Sequence, residues 1–196
     1  MQYPGHIVKL GEPDSRIVKA LKAQLNRMLA VQRIAALKLN LDDPNFGPKS
    51  SQRTRTAAPR SVDLRRAGVA LGLAWCCAFV YWCFDEAASA AARASPMVKT
   101  AGCIDHWNRA QSAGATRIPK SQAIADPARV QPGMVFIMDF GGGAGHTGLV
   151  EQVDGGLMTT IEGNTDASKT REGGGVYRLR RKIVEVNKGF VDYAGV

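Results

Sequence analysis

The stretch LAWCCAFVYWCF, residues 73–84, holds three of the chain's four cysteines and two of its three tryptophans, and carries no charge. How it is read decides the fold. Widened to residues 67–84 it is still uncharged, which meets the length of roughly 18 residues at which a membrane span has to be considered. A helix with one face deep in a core gives the same pattern. The continuation DEAASAAARA extends the helix with alanine and charge, which favours the buried helix over a membrane span.

Downstream the period changes. Residues 96–130 read as loop and short helix: GCIDHWNRA can form a helical turn, and IPKSQAIADPARVQPG is broken by prolines. Then MVFIM (134–138), HTGLVEQV (146–153), LMTTIEGN (157–164), GVYRLRR (175–181) and GFVDYA (189–194) read as strands, with DGG (154–156) as a hairpin turn. Helix first and an antiparallel meander after it make an α+β domain.

The hairpin gives a first view of chemistry. A three-residue loop at 154–156 pairs Val153 with Leu157 and sets His146 opposite Asn164. Alternation then puts Glu162 on the same face as Asn164, diagonal to His146. A carboxylate beside a histidine holds one ring nitrogen and leaves the other free to take a proton. The nucleophile that such a base would serve is a cysteine. If the helix begins near Trp75, then Cys76 or Cys77 stands in its first turn, where the dipole favours a thiolate, and Cys83 falls in the core. His106 reads as structural. Cys103 and His106 stand three apart, which raises a zinc site, but there is no paired CxxC motif and the adjacent Cys76 and Cys77 are poorly placed to ligate one ion, so no metal site is expected.

Ahead of this unit the chain is different. Of 26 Lys and Arg, 13 lie in residues 1–70, against 5 of the 17 acidic residues. Such a basic arm suits anionic partners, but no nucleic-acid module accompanies it. DSRIVKALKAQLNRMLAVQRIAALKL reads as an amphipathic helix, and KSSQRTRTAAPRS (49–61) holds no large apolar residue and reads as a linker. The expected division is a helical segment at 1–48, a basic linker at 49–66 and a catalytic domain at 67–196. The N-terminus shows no apolar run after a basic start, so synthesis in the cytoplasm without a signal peptide is expected.

The motifs together resemble a family. WCCAFVYWC is similar to the nucleophile signature of CHAP domains, the cysteine- and histidine-dependent amidohydrolase/peptidase domains of bacterial and phage wall-degrading enzymes. PGMVFIMDFGGGAGHTGLVEQVDGG resembles their glycine-flanked histidine strand, and TIEGNT the strand supplying the remaining site residues. The resemblance implies a papain-like fold over about residues 70–195, with Cys76 as nucleophile, His146 as base and then acid, Glu162 orienting the histidine and Asn164 assisting. It also implies that Trp75 and Gly145 flank the substrate. Cys77 stands where the family usually has a small residue. The segment YPGHIVKLGEPDSRIVKALKAQLNRML with LNLDDPNFGPKS resembles the first half of a peptidoglycan-binding module. The implied function is cleavage of amide bonds in peptidoglycan, as a muramoyl-L-alanine amidase or as a stem-peptide or cross-bridge endopeptidase. No cofactor or metal is implied. Action would follow release or delivery to the wall, with an immunity protein or delivery machinery as further partners. The alternative is an inactive wall-binding or structural component of a phage or secretion particle.

Overall fold

The computed structural model describes residues 67, 73–90, 92–171 and 175–196. The amphipathic helix and the basic linker expected upstream lie outside the described residues.

Helix α1 runs Cys76–Ala90 and helix α2 runs Cys103–Ala110. Strand β1 is Thr116–Pro119 and the short helix α3 is Lys120–Ala125. Strands β2 (Val135–Gly141), β3 (Ala144–Asp154), β4 (Leu157–Thr165), β5 (Gly175–Lys182) and β6 (Gly189–Asp192) follow. The six strands form one antiparallel sheet in the order β1-β6-β2-β3-β4-β5. The α+β architecture expected from the sequence is the one observed. No helix among the described residues is long and apolar enough to cross a membrane.

Alternation along the strands explains how the sheet buries both faces. Val135, Ile137, Leu149, Ile161 and Val191 join a core with α1 and α2. Phe136, Val150, Met158 and Phe190 join a second core on the other face, with Ile118, Ala123 and Ile183. α1 lies across β3 and β4, so the uncharged stretch is apolar because it is a sheet-covering helix. Phe79, Val80 and Cys83 have no exposed surface.

Three expectations are corrected. The strands do not form a simple meander: β6 returns to pair with β2 on one side and β1 on the other. The segment around Pro119 is not only loop and helix, because TRIP is an edge strand. Proline is tolerated there since it closes a strand that has no outer neighbour needing its N–H. The hairpin loop is two residues, Gly155 and Gly156, with Asp154 rather than Val153 paired to Leu157. Glu151 then bulges out of β3 and restores the pairing of Leu149 with Ile161. Loop and bulge shift the register in opposite senses, so Leu149 faces Ile161 as the longer loop implied, while a second bulge at Asn164 breaks the alternation that was expected to set that residue opposite His146.

Candidate active site

Cys76 is the first residue of α1, and the Phe79 N–H donates to the Trp75 carbonyl at 2.9 Å to close the first turn. The amides of Cys76, Cys77 and Ala78 precede that bond, and so remain as free donors at the positive end of the helix. Cys77 turns away: it is fully buried and its Sγ lies 3.6 Å from the Thr100 carbonyl. Of the adjacent pair, only Cys76 perturbs His146.

His146 comes from β3 and is 1% exposed. Its Nε2 lies 2.8 Å from Glu162 Oε2. The carboxylate can only accept, so Nε2 carries the hydrogen. Nδ1 is buried and has no aligned hydrogen-bond partner. Burial pulls His146 toward the neutral form, but the Cys76 thiol and the Glu162 carboxylate outweigh it and hold the imidazole up at about 9. Cys76 is therefore near enough to act on the ring without being lined up on Nδ1.

Glu162 comes from β4 and is fully buried. A buried carboxylate costs several kcal/mol unless its oxygens are satisfied, and here they are saturated. Arg181 donates from Nε to Oε1 at 2.6 Å and from Nη2 to Oε2 at 2.7 Å. Thr160 Oγ1 donates to Oε1, and His146 completes the set. Burial alone would raise Glu162, but Arg181 first and His146 next bring it down to about 2. The result is a carboxylate that is charged at any ordinary pH and held by four hydrogen bonds, one of them to the imidazole. The Arg181 guanidinium also lies 5.5 Å over the Phe136 ring, and Phe136 lies 5.9 Å from the His146 ring.

The thiol of Cys76 points elsewhere. Its Sγ sits 3.6 Å from Cys103 Sγ, at the first residue of α2. Cys103 is the largest cause that pushes the Cys76 thiol up, burial adds to it, and His146 opposes both. For Cys103, the bond from Cys76 pulls down, while Cys77 and burial carry the net shift up. A cleft of about 470 Å³ reaches His146, walled by Met138, Phe140, Lys169, Thr170, Arg171 and Arg181. Cys76 is not part of that wall.

Of the other residues singled out, Trp75 is half-buried and meets Phe79 edge-on at 6.4 Å. Gly145 leaves the space that Cys103 fills, since a Cβ there would lie 2.7 Å from the Met138 carbonyl and 2.9 Å from Cys103 Cβ. Asn164 has a left-handed backbone, φ 57°, at the bulge between β4 and β5. Its Nδ2 donates to the Arg171 carbonyl at 2.8 Å, so it secures the loop flanking His146 rather than bonding to the imidazole. His106 is a structural residue, bonded to Tyr193 Oη at 2.7 Å and lowered by burial to about 4.

Two residues escaped the sequence reading. Arg181 was legible in principle, because the strand period puts it on the same face as the buried Leu179 while Arg178, Arg180 and Lys182 face solvent. Cys103 was not, since nothing local brings it across to Cys76.

Comparison with known families gives a match to the CHAP domain over residues 68–164. No curated protein and no solved structure matches the chain. The matched span contains Cys76, His146 and Glu162 and ends ahead of Arg181. Through residues 68–164, the chain belongs to the CHAP domain family.

Proposed function

We propose that this protein is a cysteine-dependent hydrolase that cuts amide bonds in bacterial peptidoglycan. The CHAP domain supports a cysteine- and histidine-dependent amidohydrolase or peptidase role related to peptidoglycan. The observation that carries the finer reading is the line of groups from Arg181 through Glu162 and His146 to a cysteine at a helix start. A histidine that is hydrogen-bonded on Nε2 and unpartnered on Nδ1, beside that thiol, is arranged for proton transfer.

The chemistry is acyl transfer. Cys76 gives its proton to His146 Nδ1 and the thiolate attacks the scissile carbonyl carbon. The oxyanion accepts hydrogen bonds from the first amides of α1. His146 then protonates the leaving amine, which departs and leaves a thioester on Cys76. A water that loses its proton to His146 attacks the thioester, the acid is released and the thiol is restored. Glu162 orients the ring and stabilises the imidazolium, and Arg181 keeps Glu162 charged and in place. The bond cut is the muramoyl–L-alanine link or an amide of the stem peptide or cross-bridge.

The test is mass spectrometry of fragments released from purified peptidoglycan by the full chain under reducing conditions. New termini at one amide class are the expected result and identify the bond. No release from walls of several compositions contradicts the reading and favours an inactive wall-binding component.

A further inference from the structure

We infer that Cys76 and Cys103 form a redox pair: hydrogen peroxide converts them to an intramolecular disulfide that switches the site off reversibly. The Sγ atoms are 3.6 Å apart across 27 residues of sequence, and both residues are 4% exposed. A disulfide needs about 2.05 Å between the sulfurs, so the gap to close is about 1.5 Å, within reach of side-chain rotation. Each cysteine opens a helix, α1 and α2, so both thiols lie at positive helix ends, whose dipoles work against the burial that raises both. Gly145 keeps the approach open, because any side chain there would collide with Cys103. Selectivity follows from the same geometry. Cys77 Sγ is directed at the Thr100 carbonyl, and Cys83 is fully buried about two turns further along α1.

The atoms balance. The Cys76 thiolate attacks one peroxide oxygen, giving a sulfenic acid and releasing hydroxide. The Cys103 thiolate attacks the Cys76 sulfur, the S–S bond forms and the second hydroxide leaves. Two thiols and one peroxide become one disulfide and two waters, and a dithiol reductant reverses the change. The trapped sulfenic acid is thereby kept from further oxidation. The loss of activity rests on reading Cys76 as the nucleophile, but formation of the bond does not.

The test treats the full chain with limiting peroxide, blocks free thiols with iodoacetamide and digests with trypsin. Residues 67–93 and 100–109 are separate tryptic peptides. In wild type the two are expected joined, with fragment spectra placing the bond at Cys76 and dithiothreitol releasing it. Cys77→Ser should still give the joined peptide. Cys103→Ser should give none, with oxygens added at Cys76 that dithiothreitol does not fully remove. Over-oxidised Cys76 beside alkylated Cys103 in wild type overturns the proposal, and so does a joined peptide surviving in Cys76→Ser. Both wild-type outcomes are read by mass alone, so they stand apart from any failure of peptidoglycan hydrolysis.

Discussion

Arg181→Met tests whether the buried carboxylate of the site depends on its guanidinium. Arg181 and Glu162 are 6% and 0% exposed in their side chains and share two short hydrogen bonds. Removing one partner of a buried pair costs about 3–5 kcal/mol, because the other charge is left unpaired. A urea slope of about 2 kcal/mol/M turns that into a fall of roughly 1.5–2.5 M in the unfolding midpoint. Three residues earlier on the same strand, Arg178 pairs with Glu151 at 2.9 Å, with side chains 38% and 21% exposed. The same substitution there should cost about 0–1 kcal/mol. The penalty also has a pH signature. Glu162 is lowered to about 2 from 4.5, so its stabilisation is complete above about pH 4.5 and is lost as pH falls toward 2. The gap between the two variants should shrink over that window. Urea titrations of both variants at pH 7 decide the matter. If Arg181→Met loses no more than Arg178→Met, the guanidinium is not what makes the buried carboxylate tolerable.

Other expectations follow from the same geometry. Cys103→Ala removes the first cause of the raised Cys76 thiol, so the pH profile of Cys76 alkylation should move to lower pH; an unchanged profile means that burial alone sets it. His146 is raised from 6.5 to about 9, so its contribution to stability is complete below about pH 6.5 and lost as pH rises through 9. Thermal melts should show wild type losing more stability than His146→Gln between those values. Gly145→Ala forces a Cβ to within 2.7 Å of the Met138 carbonyl and 2.9 Å of Cys103 Cβ and should cost about 1–3 kcal/mol, measured by the same urea titration; a neutral effect would mean that the β2 backbone and Cys103 both give way.

The legible parts of this protein are those that depend on local pattern. The uncharged run at 73–84 announced a buried helix, and Cys76 opens it because the chain before Trp75 does not continue the turn. His146, Glu162 and their spacing were readable through strand alternation, although the loop length was one residue too long. The bulge at Glu151 offset that difference, and nothing in HTGLVEQV signals a bulge. The return of β6 to the middle of the sheet could not be read, because neighbour order is decided by packing over long separations. Arg181 was hidden by its composition, since a strand written RLRRK suggests solvent until its period is counted. Cys103 was hidden by distance, because its partner is fixed only when α2 docks beside α1.

The most direct measurement compares peptidoglycan fragments released by wild type, Cys76→Ala, Cys77→Ala and His146→Ala at matched concentration and equal folded fraction. Release by wild type and Cys77→Ala, with none above background from Cys76→Ala and a loss of ~100-fold or more in His146→Ala, is the predicted pattern. Release by Cys76→Ala at the wild-type rate would contradict the account.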